Sequence, residues 1–169
     1  MLKPFAVILG LALVAMATVL SPAQAREVVP FEAAVAPGTI VIRTAERRLY
    51  FVQGDGTALR YRVAVGKPSK QWFGEAQVDG KYVKPAWAPP AEVKRDNPRL
   101  PDVIPGGAPN NPMGVRALTL NRDEYAIHGT NRPDSIGTFA SYGCIRMLNE
   151  DIVDLYERVN VGTRVVVTR

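Results

Sequence analysis

The chain has 169 residues, with 21 basic and 16 acidic groups, a formal charge of +5 and 47% hydrophobic residues. That length describes one domain, large enough to bury a core without staples. The basic groups are dispersed, with no Lys/Arg run and no interleaved aromatic ladder, which argues against nucleic acid as a partner.

The N-terminus carries Lys3, an apolar run over residues 5–20, and then Ser21-Pro-Ala-Gln-Ala25. This order predicts a secretory signal peptide over residues 1–25 with an Ala-x-Ala cleavage site. The run is shorter than the roughly 20 residues a spanning helix needs, so a retained anchor is the weaker alternative. The expectation is export to the periplasm or cell envelope, with no stable membrane anchor after cleavage. Removing residues 1–25 takes away only Lys3 and leaves 20 basic against 16 acidic groups, a charge of +4. The exported chain then holds one cysteine, Cys144, in a space where structural cysteines come in pairs. Such a thiol is buried and inert, paired between molecules, or a reactive nucleophile.

Residues 26–38 read as a short N-terminal lead and residues 39–169 as the domain proper. The β-branched run at 38–43 predicts a strand. Residues 47–53 and 58–65 flank Gly54-Asp-Gly-Thr57, and Leu59, Tyr61 and Val63 alternate with Arg60 and Arg62, which predicts a hairpin with one wet face. From 66 to 112 the chain is so rich in Gly and Pro that a long ordered loop is expected, with at most a short strand at 81–87. Tyr82 and Trp87 are candidates for a binding wall within it, or for covering the core. Residues 115–120 and 124–128 predict two short strands, the second ending at His128. Asn149 reads as a helix N-cap, Glu150 and Asp151 suit the first turn, and Ile152, Leu155, Tyr156 and Val159 recur at helical spacing. A strand at 162–168 closes the chain. The predicted class is mainly β, mixed sheets or a β-sandwich with one principal helix.

Chemistry concentrates between residues 128 and 149. Cys144 follows a glycine and precedes a helix by a few residues, so a helix N-terminus and an imidazole are both expected to lower its pKa. Consecutive amides at Tyr142, Gly143 and Cys144 are candidates for an oxyanion site. His128 is the only histidine, and a cysteine nucleophile needs a proton acceptor that works near neutral pH. One His and one Cys make half a zinc site, and Asp134, Glu150 and Asp151 lack ligand spacing, so neither a metal nor another cofactor is expected. Taken singly, a His at a strand end is an ordinary polar residue and Gly-Cys before a helix is packing. Their occurrence in one Gly-punctuated stretch leaves the catalytic reading open beside that one.

The order His128-Gly-Thr130, about a dozen residues, then Ser141-Tyr-Gly-Cys-Ile-Arg-Met-Leu-Asn-Glu-Asp151 resembles the active-site signature of the YkuD-type L,D-transpeptidases. Residues 104–120 resemble the segment these enzymes carry before the histidine, so the resemblance runs from about Thr39 to the C-terminus. It implies a YkuD-like fold, with Cys144 as nucleophile, His128 as general base and the Gly129 carbonyl orienting the imidazole. It implies that Arg146, Ser141, Tyr142 and Trp87 face substrate, Arg146 meeting carboxylates with its bidentate fork. The substrates would be peptidoglycan tetrapeptide stems, losing D-Ala to a thioester whose acyl group passes to an amine. That amine would belong to a second stem's meso-diaminopimelate or to an envelope protein. The family is inhibited by carbapenems rather than penicillins.

Two positions depart from the pattern. Tyr142 stands where the family usually has His, keeping the backbone N–H and a phenolic donor but no cation near neutral pH. Gln71-Trp-Phe-Gly74 replaces a common Thr-Pro-x-Gly. Competing readings are an L,D-carboxypeptidase using the same residues, a non-catalytic peptidoglycan-binding module, and a dimer linked through Cys144.

Overall fold

Alternation of side chains across strands builds most of this molecule. The structure is a computed structural model that describes residues 26–32 and 34–169. The expected signal peptide lies outside the described residues. The expected lead supplies a strand, β1 (Arg26–Pro30), laid antiparallel on β4 (Thr57–Gly66). Between them come β2 (Ile40–Arg43) and β3 (Arg48–Val52), and β3 with β4 forms the predicted hairpin. Ile40, Ile42 and Leu49 turn into the main core, while Val41, Tyr50 and Val52 turn the other way and pack with Phe31 and Ala58.

The remaining strands are β5 (Gly74–Val83), β6 (Arg116–Leu120), β7 (Ala126–His128), β8 (Phe139–Ser141), β9 (Ile145–Met147) and β10 (Arg164–Thr168). Eight of the ten strands described run β4-β3-β2-β10-β5-β6-β7-β9, and β9 pairs back onto β4, closing a mixed barrel. The pairs β2–β10, β7–β9 and β4–β8 are parallel. Closure leaves no long free edge on this ring. Among the described residues two helices complete the fold, α1 (Ala91–Asp96) and α2 (Asn149–Arg158), with 3-10 turns at Pro68–Lys70 and Pro133–Ser135. The apolar stripe of α2 buries Ile152 and Leu155 completely against the barrel, each worth about 1.5–3 kcal/mol.

The mainly β class with α2 as its principal helix is as expected, and three details differ. The Gly/Pro-rich stretch contains a ten-residue strand, β5, in place of a short one at 81–87. Its inward positions are Ala76, Val78 and Gly80, too small to show an apolar alternation, while Glu75, Gln77, Asp79 and Lys81 alternate with them. A Cβ at Gly80 would lie 2.6 Å from the Tyr82 ring and 2.7 Å from Thr119 Oγ1, so the close approach requires glycine. The same stretch contains α1, so α2 is not the only helix. Finally, Asn149 is not a cap: Leu148 occupies that position without a side-chain bond, and the Asn149 amide serves the site described next.

Candidate active site

His128 is the last residue of β7, and Cys144 immediately precedes β9. Parallel pairing sets Ile127 opposite Ile145 and His128 opposite Arg146. Because side chains alternate, Ile127 and Ile145 enter the core while His128 and Arg146 turn to the opposite face. Cys144, two residues before Arg146, shares that face. All three line a cavity of about 470 Å³ with Trp87, Met113, Tyr125, Ser141 and Tyr142, roofed by the first turn of α1.

The turn carrying the thiol is fixed by its neighbours. Gly143 has φ 126°, and a Cβ there would lie 2.2 Å from the Tyr125 ring, so only glycine fits. Its carbonyl accepts the Trp72 indole N–H at 3.0 Å, and Trp72 stacks on Tyr125 with ring centroids 5.3 Å apart. The buried Ser141 hydroxyl accepts from the Gly143 amide at 3.1 Å and donates to the Cys144 carbonyl. Of the three amides considered for an oxyanion, that of Gly143 is therefore occupied.

Across the cleft, His128 Nδ1–H donates to the Gly129 carbonyl at 2.7 Å, which leaves the lone pair on Nε2. Burial lowers the imidazole pKa from 6.5 to about 4, with the Arg146 guanidinium adding to this and the Gly129 and Pro112 carbonyls opposing it. The Asn149 side chain holds this strand end. Its Oδ1 accepts the amides of Val115 (3.3 Å) and Thr130 (3.1 Å), and its Nδ2 donates to the Thr130 carbonyl (3.0 Å). A Cβ on Gly129 would sit 2.3 Å from that Oδ1, which explains the glycine after His128.

The thiol differs from expectation. Burial raises the Cys144 pKa above its ordinary value, although the Ala126 backbone and Arg146 oppose the rise. α2 begins at Asn149, after β9. Cys144 Sγ leans towards the Glu124 carbonyl at 3.9 Å. Burial thus favours the neutral form of both thiol and imidazole. Arg146 is half-buried, its pKa lowered by desolvation with Arg132 adding to the effect. Tyr142 donates its hydroxyl to Asp96 of α1 at 2.8 Å, and the Lys67 ammonium lies 4.4 Å from its ring centroid.

Sequence reasoning named Cys144, His128, Gly129, Ser141, Tyr142, Gly143, Arg146 and Trp87, and the structure brings them to one cleft. It did not name Asn149 as a clamp, the Trp72–Tyr125 stack or Asp96. Asn149 stands inside the signature, so its position was visible while its task was not.

An imidazole at the end of one strand and a thiol just before the parallel strand beside it, in a closed mixed barrel, define a mainly β protein with a Cys/His cleft. A profile described as the L,D-transpeptidase catalytic domain, YkuD, matches residues 37–167, and the chain belongs to this family. It is 43% identical over 135 residues to the "Probable L,D-transpeptidase YbiS" of Escherichia coli K12, covering 75% of this chain and 43% of that protein. The chain therefore spans less than half of that relative. A solved structure from Brucella melitensis, described as a probable carnitine operon oxidoreductase, is 43% identical, covers 88% of this chain and 96% of its own, and superposes with a TM-score of 0.57. The L,D-transpeptidase of Mycobacterium smegmatis, at 15% identity, shares the fold with a TM-score of 0.63 over 79% of this chain and 59% of that one.

Proposed function

We propose that the chain is a cysteine-dependent L,D-transpeptidase that acts on peptidoglycan tetrapeptide stems in the cell envelope. The observation that carries this is the common face shared by Cys144 and His128 in one cavity, with the imidazole tautomer fixed by the Gly129 carbonyl. Export rests on the sequence of residues 1–25.

The two groups begin neutral, so attack and proton transfer occur together. Cys144 Sγ leaves the Glu124 carbonyl and bonds to the carbonyl carbon before the terminal D-Ala, while its proton passes to His128 Nε2. Negative charge on the carbonyl oxygen falls to the amides of Tyr142 and Cys144, since Gly143 already donates to Ser141. His128 returns the proton to the departing D-Ala amine, leaving a thioester. An amine then attacks that thioester, either meso-diaminopimelate of a second stem, giving a cross-link, or an envelope protein's amine. Water in place of the amine makes the same residues an L,D-carboxypeptidase.

Incubation with disaccharide tetrapeptide, followed by mass analysis of products, tests the proposal. Wild type should release D-Ala and form a cross-linked dimer, and Cys144→Ala and His128→Ala should do neither. Tripeptide as the sole product, even with amine acceptors supplied, points to hydrolysis. No turnover by a folded wild type contradicts an enzymatic role.

A further inference from the structure

The thiol cleft uses one side of Tyr142, and a second cavity of about 420 Å³ lies on the other. Lys67, Asp96, Arg132, Tyr142 and Arg146 help to line it, and Tyr142 and Arg146 border both spaces. Tyr142 is a fixed partition, tied at its hydroxyl to Asp96 (2.8 Å) and covered on its ring by Lys67 (4.4 Å). Charge in this second cavity is unbalanced. Three cations face one carboxylate, and that carboxylate already accepts the Tyr142 hydroxyl. Arg132 has Asp134 at 3.5 Å, but both side chains are largely exposed, so the pair is weak and screened. Among the described residues no carboxylate forms an ion pair with Arg146, and the like-charged Arg132 adds to the lowering of its pKa. A half-buried guanidinium without an acid is a group that an incoming anion stabilises, and two guanidiniums with an ammonium suit the planar fork of a carboxylate.

We propose that this second cavity binds a carboxylate of the acyl acceptor beside its attacking amine, making Lys67 and Arg132 specificity-determining residues for the second half-reaction. The inference rests on the transpeptidase reading above. The acceptor's ammonium first loses a proton to water. Its nitrogen then bonds to the thioester carbonyl carbon as the carbon–sulfur bond breaks. The second amine proton passes to His128 and from there to the departing Cys144 thiolate, restoring the thiol. Acceptors whose amine stands on an amino-acid centre with a free carboxylate are selected over those in which it is amidated.

The test is competition between D-methionine and D-methioninamide for the acyl group of a tetrapeptide donor, read as the ratio of the two products by mass spectrometry. Wild type should favour the free acid by about tenfold, the size of one charge-assisted hydrogen bond. Arg132→Met and Lys67→Met should each bring the ratio towards unity. Both side chains are exposed, and a melting curve verifies that each variant folds. A wild type that forms the thioester yet shows no preference overturns this inference alone, as do variants that keep the wild-type ratio. A wild type that forms no thioester overturns the transpeptidase reading, and this inference with it.

Discussion

Burial disfavours the His128 imidazolium, which keeps the base proposed above unprotonated. With its pKa near 4, the imidazole is neutral and available throughout the range in which an envelope enzyme works, while the thiol keeps its proton. Iodoacetamide should therefore alkylate Cys144 slowly at pH 7, with a rate that climbs only on the alkaline side. An inflection below pH 7 would mean a preformed thiolate–imidazolium pair and contradict the neutral resting state. The same burial links His128 to stability. As the pH falls below 6.5 the unfolded imidazole takes a proton that the folded one refuses until about 4, so stability drops through that window, by about 3 kcal/mol in full. Asp151 acts in the opposite sense. Burial, with Glu150 adding, raises its pKa from 3.8 to about 6, and its Oδ2 has no partner among the described residues. The folded carboxyl keeps a proton that the unfolded one releases, so stability falls as the pH rises from 3.8 to 6. The two slopes largely cancel in wild type between pH 4 and 6. Urea unfolding should show His128→Gln losing stability as the pH rises from 4 to 6, where wild type is nearly flat, and Asp151→Asn more stable at pH 7 by up to about 2 kcal/mol. Parallel pH curves for both variants and wild type would rule the linkage out.

At the scale of elements, the site depends on how β6, β7, β9 and α2 are tied together, and Asn149 is the tie. Its three hydrogen bonds join the start of α2 to the chain just before β6 and to the turn after His128. Asn149→Ala leaves two amides and a carbonyl without that partner, which should lower stability by about 1–3 kcal/mol and reduce turnover beyond what the stability change explains. A variant with wild-type kcat and Tm would show that the clamp is dispensable. Gly143→Ala meets both an unfavourable φ and the Tyr125 ring, so turnover should fall by at least about a hundredfold while the barrel survives. Kinetics alongside far-UV circular dichroism separate these effects. The elements were unequally legible in sequence. The β3–β4 hairpin and α2 showed their periodicity openly. β5 hid its inward face behind Ala76, Val78 and Gly80, and the three-residue strands β8 and β9 are too short to carry any period. Asn149 looked like a cap because local sequence cannot show which distant amides will arrive at its side chain.

Over the whole molecule, closure of the barrel is what turns a sequence motif into a site. Residue types and spacing made Cys144 and His128 candidates and the family resemblance paired them, but the register of His128 against Arg146 comes from a parallel pairing that no local pattern encodes. Nor does the sequence disclose that assembly would desolvate the thiol and raise its pKa, since desolvation is a property of the assembled cavity. The tie from Tyr142 to Asp96 likewise joins the thiol turn to α1 only once the Gly/Pro-rich stretch has folded over the barrel. The measurement that tests the central claim most directly is the intact mass of the protein rapidly quenched after mixing with tetrapeptide donor. Wild type should gain the mass of the tetrapeptide donor less D-Ala, mapped by proteolysis to Cys144, with His128→Ala acylated far more slowly and Cys144→Ala not at all. D-Ala release with no adduct at Cys144, or an adduct that forms as fast without His128, would contradict that claim.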